Sequence, residues 1–304
     1  MPAPELRPLS VGEIVDTAVN VVRRNARVLF TIAAVVLVPL GVLQLIFYGL
    51  AGFGDALSTF DALVQNPDLV TAEEAQAALD AAAQLAIVGF AFGVLALFAI
   101  ILVGGATVQA AAGIYQGLEP SWQDSVRTGL RRLGAMVVAS LAVAIGAGSG
   151  LLLLILPGVW LFTSWAVTIP ALIVEGRGPF AAMRRSFQLV KPRFWPTLGV
   201  VILATVLYVV VSYVINLVGS VMTLADPFGT GSIVASVISS TIASIVVFPF
   251  IAAVLIVHYF DLRVRAEGYD LEVMARELLE AESPSPTTSP DPDDPFGLGP
   301  PDRA

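Results

Sequence analysis

The sequence predicts an all-α, polytopic membrane protein: six transmembrane helices as three hairpins, each preceded by a cytoplasmic amphipathic helix. Three observations predict it. The 304 residues are 57% hydrophobic and only 13% charged, about half the ~25% charge of an ordinary soluble domain. Asp, Glu, Lys and Arg are absent from 28–54, 81–118, 133–174, 194–225 and 227–260. A charge-free apolar stretch of about 18 residues or more is long enough to cross a bilayer. Finally, the 16 bases sort to one side of a membrane.

Four of the five runs read as one span each. The run 133–174 would make a helix of about 63 Å, twice the ~30 Å hydrocarbon thickness. Gly146, Gly148 and Gly150, followed by Pro157-Gly158, supply a turn within it. The spans then fall near 28–52, 85–116, 133–156, 159–175, 194–224 and 231–258. Short cytoplasmic loops hold the excess of Lys and Arg. With six spans and the N-terminus inside, segments 1–27, 117–132, 176–193 and 259–304 carry 4, 3, 5 and 4 bases, which is all 16. Five spans would divide them 7 against 9. The expected address is a bacterial inner (plasma) membrane, with both termini cytoplasmic. The first apolar run, from Val28, is much longer than a signal-peptide core of about 7–15 residues and reads as a retained span.

Before each odd-numbered span lies a short amphipathic segment that ends in bases. The first, within 1–27, opens on a Ser10-x-x-Glu13 capping box, aligns Val11, Ile14, Val15, Ala18 and Val22, and closes on Arg23, Arg24 and Arg27. The second, from Pro120, has Ser121 as its cap, aligns Trp122, Val126, Leu130 and Leu133, and carries Arg127, Arg131 and Arg132. The third, from Pro179, aligns Phe180, Met183, Phe187, Val190 and Phe194, with Arg184, Arg185, Lys191 and Arg193 on other faces or at its end. Such helices suit the lipid interface, so Arg23, Arg24, Arg27, Arg131, Arg132, Arg184, Arg185, Lys191 and Arg193 are candidate contacts for anionic lipid headgroups. They serve equally as joints that fix hairpin angle and topology.

The segment 55–80 is acidic and external, and Ala-rich sequence from Thr71-Ala-Glu-Glu74 continues into the second span as one projecting helix. After the last span, 261–281 reads as a juxtamembrane helix capped by Asp270. The Pro-rich acidic stretch 282–304 cannot bury a core and reads as disordered. The formal charge of −8 arises beyond Ala266, since residues 1–265 hold 14 bases and 14 acids.

Composition excludes several chemistries. Without cysteine there is no disulfide framework, thiolate catalysis or zinc–thiolate site. With the single His258 there is no multi-histidine metal centre, and no cofactor is expected. No basic domain for nucleic acid is present. The expected partners are the lipid bilayer, anionic headgroups and a second membrane protein. Span interiors hold no ionisable side chain, the usual mark of ion coupling. Gln44, Gln109 and Asn216 are the amides well inside. Asn216 and Gln109, with Ser236 and Ser240 of the Ser232–Ser236–Ser240–Ser244 stripe, form a candidate polar pocket, although single amides and small-residue stripes more often serve packing. Gly89, Gly93, Gly104, Gly105 and Gly113 read as a packing seam. His258, beside Tyr259 and Phe260, reads as an interfacial belt residue. Glu175 reads as an ion pair with Arg177, Arg184 or Arg185.

Three segments carry a resemblance: Arg7-Pro-Leu-Ser-Val-Gly-Glu-Ile14; Val174-Glu-Gly-Arg-Gly-Pro-Phe-Ala-Ala-Met-Arg-Arg-Ser-Phe187 with Phe194-Trp195; and Tyr259-Phe-Asp-Leu-Arg-Val-Arg-Ala-Glu-Gly-Tyr-Asp-Leu271. They resemble bacterial membrane proteins labelled as the membrane domain of glycerophosphoryl diester phosphodiesterase. The resemblance implies a membrane portion alone. The family's catalytic barrel uses paired histidines and metal-binding acids, and these transfer to no position here. The expected function is therefore non-catalytic: a structural, scaffolding or membrane-organising protein. The alternatives are a transporter or flippase of a lipid-like amphiphile, supported by a hydrated cavity at the candidate pocket, and a membrane-embedded lipid enzyme built from Glu175, His258 and Asp261.

Overall fold

The computed structural model describes residues 9–50, 52, 71–225 and 229–268. The expected tail over 282–304 and the external segment up to residue 70 lie outside the described residues. The described residues form α1 (Val11–Arg24), α2 (Ala26–Leu50), α3 (Ala72–Tyr115), α4 (Trp122–Leu153), α5 (Ile155–Ser164), α6 (Thr168–Val174), α7 (Pro179–Val190), a 3-10 turn (Lys191–Arg193), α8 (Phe194–Ala225) and α9 (Thr230–Glu267). No strand occurs among them. Six segments are long and apolar enough to cross a membrane. The chain is an integral, multi-pass membrane protein.

The boundaries follow from local chemistry. Ser10 caps α1 with both bonds of the capping box in place: its hydroxyl accepts from the Glu13 N–H, and the Glu13 carboxylate accepts from the Ser10 N–H at 2.8 Å. Asn25 breaks the chain between α1 and α2, its N–H turned back to the Val21 and Val22 carbonyls. Pro170 stands in the first turn of α6, and the preceding break at Trp165–Val167 falls where its ring would meet the carbonyl four residues earlier. Pro157 does the same for the break at Leu154, whose extended φ −157°, ψ 135° separates α4 from α5. Pro39 and Pro249 sit inside α2 and α9.

Several expected boundaries shift. The segment from Pro120 to Arg132 is not a separate helix, because no breaker divides it from the span: α4 runs unbroken from Trp122 to Leu153. Ser121 gives no side-chain cap, its hydroxyl bonding to Gln123 instead. Residues 261–267 continue α9, which stops at Gly268 in the left-handed conformation (φ 62°), and Asp270 lies outside the described residues. The turn expected across 146–158 shrinks to the single residue Leu154. Glycine makes that possible, because a Cβ on Gly150 would sit 2.9 Å from the Gly158 Cα, and one on Gly158 would sit 2.5 Å from the Leu151 backbone N. The glycine seam on α3 is real at Gly105, against Met136, but not at Gly89, Gly93 or Gly104, where a Cβ would meet nothing within 4 Å.

Contacts of Leu9 with Asp261, Tyr115 with Phe260, Glu175 with Tyr259 and Thr197 with His258 bring the start of α1, the end of α3, the α6–α7 corner and the start of α8 to the last turns of α9, here called the basic end. The α9 helix is central and packs on α1, α2, α3 and α8. In its most apolar window 44% of residues are buried, against 6% for α3. The main core lies toward the basic end, where Ile14, Leu189, Ile256, Tyr259, Phe260 and Leu262 are buried. At the opposite end Leu50, Leu152, Leu153, Leu156 and Leu224 are strongly exposed, as suits side chains that meet lipid tails.

The one-residue turn gives a paired test within one helix. Gly150→Ala forces backbone against backbone and should cost roughly 1–3 kcal/mol. Gly148→Ala, with nothing within 4 Å, should be neutral or gain up to about 1 kcal/mol from helix propensity. Thermal unfolding in detergent should show a lowered Tm for Gly150→Ala alone.

Candidate functional site

The last three turns of α9 present two functional faces. His258, Asp261 and Arg265 recur at helical spacing on one, and Tyr259, Arg263 and Glu267 on the other. The first face holds the N-terminal strand of chain that leads into α1. The Asp261 Oδ1 accepts the Leu9 N–H at 2.7 Å, and Arg265 Nη2 donates to the Leu9 carbonyl at 2.7 Å. Arg265 Nε also donates to both Asp261 oxygens at 3.0 Å. Both backbone polar groups of Leu9 are thus satisfied by one ion pair.

The second face ties α9 to the α6–α7 corner. The Tyr259 hydroxyl donates to Glu175 Oε1 at 2.6 Å, and Arg185 Nε donates to the same oxygen at 2.8 Å. Arg177 also binds Glu175, and Arg185 reaches on to Glu267, which Arg263 pairs at 3.0 Å. Phe260 stacks on Tyr115 of α3 with centroids 5.1 Å apart, and Ser186 of α7 donates to the Ser164 carbonyl of α5 at 2.9 Å. Burial pushes the Glu175 carboxyl upward, but the hydrogen bonds from Tyr259, Arg185 and Arg177 outweigh it and hold the group below the ordinary carboxylate value.

His258 departs from the expected belt position. It is 1% exposed, because α9 continues past it packed among α1 and α8. Its Nε2 lies 3.0 Å from the Thr197 hydroxyl, while Nδ1 has no hydrogen-bond partner among the described residues. The ring lines a recess of about 200 Å³ with Ser10, Ile14, Arg193, Pro196 and Asp261. Glu175 does not line it, being engaged by Tyr259 and its arginines, so the three groups named for a lipid enzyme are divided between two networks. Among the described residues no three His, Asp or Glu side chains group as a metal site.

The candidate polar pocket does not assemble. Gln109 lies near the basic end of α3, six residues from Tyr115, whereas Asn216 lies about 33 Å along α8 from Phe194 at 1.5 Å per residue. Asn216 Oδ1 accepts from Ser239 at 3.2 Å, and its amide donates to its own helix at Ser212. Ser236 and Ser240 are exposed and donate to carbonyls one turn back, at Ile233 and Val237. Four-residue steps drift around a 3.6-residue helix, so the stripe turns away and Ser239 takes the place expected of Ser236 or Ser240. A Cβ on Gly219 would come 2.5 Å from the Ser239 hydroxyl, so this is a helix contact without a cavity.

Of the nine candidate lipid contacts, Arg132 and Arg185 face inward. Arg132 points to the Leu172 carbonyl at 3.5 Å, and Arg185 belongs to the Glu175 network. Arg23, Arg24, Arg27, Arg131, Arg184, Lys191 and Arg193 are exposed.

Asp261→Ala should strip the acceptor from Leu9 and leave Arg265 unpaired, costing about 2–4 kcal/mol, somewhat below a fully buried pair because Arg265 is partly exposed. The checks are a lowered Tm and faster amide exchange at residues 9–14. For Glu175 the folded-state value is depressed, so its stabilisation is present above the ordinary carboxylate value of 4.5 and is lost as pH falls through the folded value. The wild-type Tm should therefore drop on acidification below about pH 4.5 more steeply than that of Glu175→Gln, measured side by side.

Comparison with curated proteins and with solved structures gives no match. A family model does match: residues 139–282 are similar to the membrane domain of glycerophosphoryl diester phosphodiesterase. The match spans Glu175, Arg185, His258 and Asp261, and the part of it described here is helical, with no strand of a catalytic barrel.

Proposed function

We propose that the chain is a non-catalytic scaffold of a bacterial inner membrane, presenting a rigid basic platform on the cytoplasmic side to anionic headgroups and to a membrane-protein partner. One observation carries this reading: the inward carboxylates of the basic end, Asp261 and Glu175, are tied to distant elements, while bases outnumber the acids Asp16, Glu119 and Asp124 among its exposed ionisable groups. Asp261 with Arg265 spans a sequence separation of 252 residues to Leu9, and Tyr259 with Glu175 spans 84. A carboxylate held by two arginines and a tyrosine is well placed to lock helices. It is poorly placed to take a proton from a substrate, which requires a free oxygen within hydrogen-bond reach.

The absence of cysteine makes the orientation directly testable. Single cysteines at Arg184 and Asp80 should behave oppositely in intact cells. The Asp80→Cys variant should react with a membrane-impermeant maleimide, and Arg184→Cys should react only after lysis. Labelling of Arg184→Cys from outside would overturn the cytoplasmic platform. For the non-catalytic reading, the purified full chain in lipid nanodiscs should release no alcohol from glycerophosphodiesters. Release that disappears in Glu175→Gln or Asp261→Asn would establish an enzyme instead.

A further inference from the structure

The α2 and α8 helices each pack on α9 and leave a furrow between them. Its floor is Val247 and Phe250 of α9, its walls are Phe30 of α2 and Tyr208 of α8, and Val19 and Val22 of α1 roof it near the basic end. The furrow encloses about 220 Å³ and is apolar throughout. Helix spacing sets two bases at its roofed end. Arg23 follows Val19 by four residues on α1, and Arg27 precedes Phe30 by three on α2, the separations that stack side chains on one helix face. Both arginines are exposed, and neither meets a carboxylate among the described residues.

We propose that this furrow is a binding site for one anionic phospholipid, with an acyl chain lying on Val247 and Phe250 beneath α1 and its phosphate held between Arg23 and Arg27. Charge complementarity selects the occupant. A purely apolar furrow would accept any lipid tail, but a tail whose headgroup keeps net negative charge also neutralises two guanidiniums that meet no carboxylate among the described residues. The proposal rests on the membrane placement of the scaffold reading, yet on different bases from those of the Arg184 face, so either can fail alone.

The test uses the full chain reconstituted in vesicles of equal parts phosphatidylglycerol and phosphatidylcholine, extracted gently, with retained lipid counted by native mass spectrometry. The wild type should retain phosphatidylglycerol preferentially, and R23Q/R27Q should lose that preference by about five-fold for each arginine removed. Val246→Trp, which fills the furrow from α9, should reduce retention of both lipids. Val19→Trp fills it from the exposed roof and tests the same point without touching the packed floor. R184Q, at the same end but off the furrow, should keep the preference. Equal retention of the two lipids by wild type, an unchanged preference in R23Q/R27Q, an equal loss in R184Q, or undiminished retention in both tryptophan variants would each overturn the site.

Discussion

Apolar helices in a bilayer gain little by leaving lipid for one another, since hydrocarbon tails solvate leucine about as well as a neighbouring helix does. What holds such a bundle in one arrangement must be contacts that lipid cannot imitate: backbone-close approaches and satisfied polar groups. This chain uses the first sparingly and concentrates the second. Close approaches occur at Gly150 against Gly158, Gly41 against Thr241, Gly105 against Met136, Gly146 against Trp165 and Gly219 against Ser239. The polar contacts collect in the last turns of α9. That helix passes through the middle of the bundle and emerges among α1, α3, α6 and α7, so a residue on it can reach almost any other element.

The two faces of that helix end divide the work. Asp261 and Arg265 bind Leu9 at the start of α1 while His258 meets Thr197 of α8, and Tyr259 and Glu267, the latter also paired by Arg263, bind the α6–α7 corner. Breaking either pair leaves a charge without its counter-charge in a shielded place, which costs more than the pair itself contributes. These contacts join the three segments that carry the resemblance to the phosphodiesterase membrane domain, although they lie far apart in sequence. Leu9, Glu175 with Arg185, and Tyr259 to Arg265 are the points where the three segments touch.

Much of this was legible from charge and apolar runs. Six segments of span length follow from the five runs without Asp, Glu, Lys or Arg and the Gly/Pro turn that divides the longest, and the Ser10–Glu13 cap follows from four consecutive residues. What was illegible needed knowledge of facing. Pattern could show that Ser232, Ser236, Ser240 and Ser244 recur, but rotation of the helix against α8 decides that Ser239 meets Asn216. Adjacency to Tyr259 and Phe260 suggested a belt position for His258, and only the continuation of α9 beyond Asp261 buries it. Gln109 and Asn216 share only their chemistry, since Gln109 lies near the basic end and Asn216 about 33 Å along α8 from it. The signal that would have found the Asp261–Arg265 clamp was present as an i, i+4 acid–base pair. Its partner, a backbone amide 252 residues away, leaves no trace in residue identity.

The small helix α1 joins the two halves of the argument. It is not among the six helices long and apolar enough to cross a membrane; its start is fixed by the Leu9 N–H donated to Asp261 and the Leu9 carbonyl accepting from Arg265, and its middle by Ile14 and Ala18, both buried in the main core. Its end, by contrast, carries exposed Val19 and the bases Arg23 and Arg24. Rigid attachment at one end and open apolar and basic surface at the other is what an interfacial helix requires if it is to hold a headgroup at a defined depth and not merely float on the leaflet. Within the basic end, then, carboxylates neutralise the bases that face inward and determine the fold. Arg23, Arg24, Arg27, Arg131, Arg184, Lys191 and Arg193 face outward instead, and on the proposed reading a leaflet or a partner surface supplies their counter-charge.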